Sequence, residues 1–217
     1  LERELFTGEP GQSGLPEPFK RIPLTGRQGA NLKSVKADIG DAPEWNWVRA
    51  FSGAGGADIV AIDVDGSKNV FAFGTFSDSL QIQGTTLVSN GLRDVFVAKI
   101  SPFGTLSWIR QLSALPGENV SAAQLALSTT GIFIVGYLES DNISGGGKSA
   151  DRSTEENVFM ARLGLTGTVE WLKVLTEDED TRILKFLADV DGNTFLLTDG
   201  VLNKYDPDGN LSWGVVP

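Results

Sequence analysis

The sequence predicts an all-β fold assembled from a repeated antiparallel unit. Three observations predict it. Short runs rich in Val, Ile, Phe and Ala alternate with turn residues. No stretch of a dozen residues carries a helical apolar period. A tryptophan recurs at Trp47, Trp108, Trp171 and Trp213. Of the 217 residues 41% are hydrophobic and 26 are Gly, enough for a core in one ordinary domain or two small ones.

The tryptophans lie 61, 63 and 42 residues apart, and the thirteen residues ending at each one align without a gap: Val35–Trp47, Phe96–Trp108, Phe159–Trp171 and Val201–Trp213. Each copy reads as a hairpin. In the second copy an apolar strand, Val95–Ile100, meets the turn Ser101–Gly104 and returns over Thr105–Leu112. In the fourth, Asp206-Pro-Asp-Gly-Asn210 places Pro and Gly where a tight reversal needs them. A base recurs nine residues before Trp at Lys99, Arg162 and Lys204, with Asp38 in the first copy.

A second hairpin precedes the first in each unit. Asp58–Asp63 and Asn69–Phe73 flank Val64–Lys68, Ala122–Leu127 and Ile132–Val135 flank Ser128–Gly131, and Leu184–Ala188 and Thr194–Leu197 flank Asp189–Gly192. Four strands in about 60 residues mark the blade of a beta-propeller. The extra length of the two longer units falls in the connections Ser77–Leu92 and Glu139–Asn157, which read as loops; in the last unit the link shrinks to Asp199-Gly200. The predicted organisation is an N-terminal arm or partial strand at 1–30, with Pro10, Pro16, Pro18 and Pro23, then a half blade at 31–52. Blades follow at 53–114 and 115–176, and a short blade at 177–217. That is fourteen strands from Asn31 on, about three and a half blades. The Leu1 start and the entry in mid-blade suggest a piece of a longer ring; a pair of copies and a four-bladed closure are the other ways to cover the ends.

The copy from Gly55 to Trp108 carries Gly55-Gly-Ala-Asp58, Asp63, Gly66, Asn69-Val-Phe71 and Gly74-Thr-Phe76. It continues with Asp94-Val-Phe-Val-Ala-Lys99 and Gly104-Thr-Leu-Ser-Trp108. This pattern resembles the bacterial seven-bladed beta-propeller repeat (SBBP-type) family, and the resemblance extends more loosely over 31–213. It implies a propeller scaffold and assigns no activity, since propellers host unrelated functions. The Gly-x-x-x-Trp element also resembles the tryptophan-docking motif of quinoprotein propellers, and nothing else of a quinone site accompanies it.

Composition excludes several classes of function. Without Cys or His, thiol catalysis, Ser/His/Asp triads and zinc-thiolate sites are out of reach. A net charge of −10 opposes phosphate-backbone binding. No apolar run is long enough for a membrane-spanning helix, and Leu1–Pro10 has no signal-peptide pattern. No helix is available for a phosphate loop, and no carboxylate pair stands out as glycosidase-like. Catalytic, cofactor-binding and metal residues are therefore all expected to be none.

Several motifs have two readings. Asp63-x-Asp65-Gly-x-x-Asn69, Asp189-x-Asp191-Gly-Asn193 and Asp206-x-Asp208-Gly-Asn210 resemble calcium loops, but they lack a downstream bidentate Glu and equally build hairpin turns. Glu177–Asp180 reads as a solvated acidic loop. Asn119, Asn142 and Asn210 open glycosylation sequons, with Asn142 in the Gly-rich stretch as the best of them. The Trp column reads as inter-blade packing ahead of a sugar platform. Trp45 is placed to face the same side as Trp47. The recurring base is expected to pair with an acid of the next blade.

The expectation is a non-enzymatic structural or interaction module, extracellular or at the cell surface. It would present its long loops or self-assemble through blade edges, with protein partners: other copies or the rest of a longer chain. A lectin-like carbohydrate-binding propeller and a carboxylate-based hydrolase or lyase are the alternatives.

Overall fold

The computed structural model describes residues 46–152, 157–175 and 181–216. They hold sixteen strands, all within the unit Pro43–Pro217. The first group is β1 (Ala57–Val64), β2 (Val70–Phe76), β3 (Ser79–Ile82), β4 (Thr85–Val88), β5 (Asp94–Ile100) and β6 (Leu106–Ala114). The second is β7 (Asn119–Leu127), β8 (Ile132–Glu139), β9 (Asn142–Gly145), β10 (Lys148–Asp151), β11 (Val158–Leu163) and β12 (Val169–Leu175). The third is β13 (Ile183–Ala188), β14 (Thr194–Thr198), β15 (Leu202–Tyr205) and β16 (Leu211–Val215). The fold is all-β, and every named strand pair is antiparallel.

The sheets run β1-β2-β5-β6, extended by β9-β10; β12-β11-β8-β7; and β13-β14-β15-β16. Each thus contains a four-strand meander in chain order, and the meanders share their irregularities. The first pair of each slips at Ile59/Ala61, Ala122/Gln124 and Ile183/Lys185. The last pair slips at Lys99/Ile100, Arg162/Leu163 and Lys204/Tyr205. A bulge fixes register and side-chain direction, so equivalent residues of the three units point the same way.

The core lies between successive sheets. Phe71, Phe73, Val95 and Val97 of the first sheet pack with Leu125, Ile132, Ile134 and Phe159 of the second. Phe133, Val135, Val158 and Met160 on the second sheet's other face pack with Ile183, Phe186 and Leu196 of the third. Strands buried on both faces explain why their apolar runs are nearly continuous.

The connections Ser77–Leu92 and Glu139–Asn157 are not loops. Each forms a hairpin, β3-β4 and β9-β10. The turn of the first has positive φ at Gln83 and Gly84, and that of the second at Gly146 and Gly147, the two-residue geometry whose twist matches antiparallel strands. Each hairpin joins the chain of the preceding repeat: Ser113 and Ala114 of β6 pair with β9, and Ser52 bridges Gln81. Leu80, Ile82 and Ile143 are buried there. The predicted arm 1–30, Trp45 and most of the predicted half blade lie outside the described residues, as does Glu177–Asp180.

Candidate interaction faces

The contacts that join one repeat to the next are built from the tryptophan and its neighbours. Trp47 Nε1 donates to the Pro102 carbonyl at 2.9 Å, Trp108 to Leu165 at 3.2 Å and Trp171 to Pro207 at 3.0 Å. Each acceptor belongs to the turn of the following repeat, two residues before a glycine. Gly104, Gly167 and Gly209 have φ of 76, 85 and 72°, a conformation that other residues adopt at a cost. A Cβ on them would lie 2.7 or 2.8 Å from the Trp47, Trp108 or Trp171 ring. Glycine is required twice over, by the backbone and by the indole face resting on it.

Two residues beyond each tryptophan a base reinforces the joint. Arg49 donates to the Gly104 carbonyl, Arg110 Nε to the Gly167 carbonyl at 2.8 Å, and Lys173 Nζ to Asn210 Oδ1 at 2.8 Å. Nearer the first strands, Thr75 Oγ1 accepts the Ala122 N–H at 3.0 Å and Tyr137 Oη accepts the Ile183 N–H at 2.8 Å. Gln124 grips β13 from both sides, donating to the Leu184 carbonyl and accepting from the Phe186 N–H. Every one of these bonds runs between consecutive repeats.

The same positions lie open at the two ends of the series. Ile62 is 66% exposed, whereas its register equivalents Leu125 and Phe186 are 9% and 1%. At the other end Leu197 is 38% exposed, whereas Phe73 and Val135 are at most 0%. Trp213 is 43% exposed, and no repeat follows it among the described residues. Val215, in register with Arg110 and Lys173, is exposed beside it. Isolated exposed aliphatics are ordinary; clusters at positions buried elsewhere in the same repeat are not.

The Asp-Gly turns are closed by their own carboxylates. Asp65, Asp189 and Asp206 each accept the backbone N–H of the residue two ahead, and the backbone and side-chain N–H of the Asn four ahead, at 2.8–3.0 Å. At Asp189 the Asn193 amide holds the carboxyl below its usual range, and at Asp206 the Asn210 backbone N–H does so. At Asp65 partial burial pushes upward but is outweighed by Asn69, Ser67 and nearby Lys99, so the net shift is also down. Among the described residues no three acids converge to hold a cation.

The recurring base does not reach an acid of the next repeat as expected. Lys99 lies 4.0 Å from Asp65 and Arg162 2.9 Å from Glu170, both within their own repeat. Lys99, Arg162 and Lys204 sit over Phe71, Phe133 and Phe195 at 5.1–5.5 Å. The physical reason is proximity: each base is cross-strand from its Phe in the same meander. Asn142 lies on β9 with its amide on Asp151, not in a Gly-rich loop; Asn119 donates to Glu139. Among the described residues, then, the polar candidates resolve into turns and joints, and Ile62, Leu197 and Trp213 stay exposed where their equivalents are covered.

The chain matches no known family model, and a search of curated proteins returns none that resembles it significantly. The resemblance of Gly-x-x-x-Trp to a tryptophan-docking motif points at Gly104, Gly167 and Gly209, but does not show that each receives the ring of the tryptophan one repeat earlier. Thr75, Tyr137 and Gln124 carried no signal, because their partners are backbone groups of another repeat.

Proposed function

We propose that the three meanders are blades of a beta-propeller of the bacterial seven-bladed repeat type. On this reading the chain is a non-enzymatic structural or interaction module of an extracellular or surface protein, and its open blade faces are its working surfaces. One observation carries it: Ile62 and Leu197 occupy positions that the repeat buries elsewhere, yet both are exposed. The hairpins at Ser77–Leu92 and Glu139–Asn157, packed on their neighbours, favour edge association over loop display. A carbohydrate-binding reading wants aromatic rings in those connections, and they hold none.

The test pairs Ile62→Asp with Leu197→Asp in the full chain. The double variant should keep its circular dichroism and melting temperature and lose binding of an apolar reporter dye. Global unfolding would mean that these faces are already covered, and the reading would fail.

A further inference from the structure

We infer that Asn90 is a self-modifying site: its side chain closes onto the Gly91 nitrogen, reopens as isoaspartate, and thereby loosens the joint between the first and second meanders. The end faces play no part in it.

Asn90-Gly91 is the one Asn-Gly pair in the sequence. It lies between β4 and β5, and Asn90 is exposed. Among the described residues nothing bonds its side-chain amide; Asn90 is held by its backbone N–H, donated to Asp94 Oδ2 at 2.8 Å. Elsewhere the amides of Asn69, Asn119, Asn142, Asn193 and Asn210 each donate to a carboxylate. A branched side chain follows each of those five and hinders attack by the next nitrogen.

Packing dictates the glycine. Gly91 does not have a left-handed backbone. Instead, a Cβ there would lie 2.5 Å from the Glu118 carbonyl oxygen and 3.0 Å from the Ala114 Cβ. The bare α-carbon that admits Glu118 also leaves the Gly91 nitrogen open to attack. The Gly91 N–H reaches Asp94 Oδ1 at 3.3 Å, longer than the bonds that Gln111, Asn90 and Ala114 donate to the same buried carboxylate at 2.7, 2.8 and 3.1 Å. It is the most loosely held of the four.

The chemistry needs only water. The Gly91 nitrogen bonds to the Asn90 Cγ, the Cγ–Nδ2 bond breaks, and ammonia leaves with the proton that the Gly91 nitrogen gives up. Water then opens the cyclic imide at either carbonyl, giving aspartate or isoaspartate; nothing is oxidised or reduced. Isoaspartate adds a methylene to the main chain between the two N–H groups that Asp94 accepts, and either product puts a new carboxylate on the residue beside Gly91. Like charges repel there, and a buried carboxylate that loses donors is costly. The same turn carries the joint: the Leu92 N–H donates to the Glu118 carbonyl at 2.8 Å, and the Val120 N–H donates to the Arg93 carbonyl at 3.0 Å. Moving Gly91 disturbs both bonds.

The test ages the full chain in mildly alkaline buffer without denaturant and maps its peptides by mass spectrometry. Asn90 should lose its amide several-fold faster than Asn119 or Asn142, with isoaspartate as the main product. The melting temperature should fall by roughly 2–4 °C on full conversion, the shift that goes with the net worth of one hydrogen bond in a domain of this size. Asn90→Gln, which would have to close a larger ring, should keep both its mass and its melting temperature. Conversion at Asn90 no faster than at Asn119 overturns the inference. So does conversion that occurs only in urea, since the fold would then shield the site. A chain converted at Asn90 that keeps its melting temperature overturns the link to the joint.

Discussion

A single glycine shows how tightly residue chemistry is tied to assembly. At Gly167 the backbone has φ of 85° and the Trp108 ring leaves no room for a Cβ. Gly167→Ala should cost about 1–2 kcal/mol from the left-handed backbone alone, with displacement of the indole adding to it. Urea unfolding with unchanged slope would check this. Gly147 is a built-in control: its φ is 77° but nothing lies within 4 Å of its Cβ position, so Gly147→Ala should cost only the backbone part. The turn carboxylates predict a pH effect. Asp189 and Asp206 titrate below their ordinary value in the native state. Their contribution is therefore complete above the unfolded Asp value, near 3.8, and is lost as the pH falls through the lowered native one. Asp189→Asn with Asp206→Asn should flatten the fall of melting temperature below about pH 4; an unchanged slope in acid would refute the assignment.

At the scale of elements, the meander strands were legible because burial on both faces writes apolar runs and turn residues into the local sequence. The inserted hairpins were harder to see. Their strands are four residues long and are held by pairing to the preceding repeat, which no local window records. The overlooked signals were the two-residue turns Gln83-Gly84 and Gly146-Gly147. The basic column misled for a related reason: charge invited an acidic partner in the next repeat, whereas the sheet placed a Phe ring directly across. Because β3 carries the fully buried Leu80, this hairpin is part of the core. Leu80→Ala should destabilise by about 2–5 kcal/mol, whereas an equivalent truncation in a displayed loop would change little. Calorimetry on the two alanine variants Leu80→Ala and Val88→Ala, the latter exposed on β4, separates these outcomes.

For the whole molecule, position along the series decides what a residue is worth. Stability in a stacked array is close to a sum of unit and nearest-neighbour terms, and the last unit lacks a following neighbour among the described residues. The register equivalents Phe73, Val135 and Leu197 differ mainly in whether a following sheet covers them. The same substitution should therefore have opposite consequences along the series. Val135→Asp puts an unpaired carboxylate between the second and third sheets and should cost more than about 4 kcal/mol, enough to unfold a marginal domain. Leu197→Asp should stay within about 0.5 kcal/mol, as for an exposed surface site. Guanidinium titrations of both variants measure the difference directly. A large loss at Leu197 would show that the face is already occupied in solution and that the series does not end there.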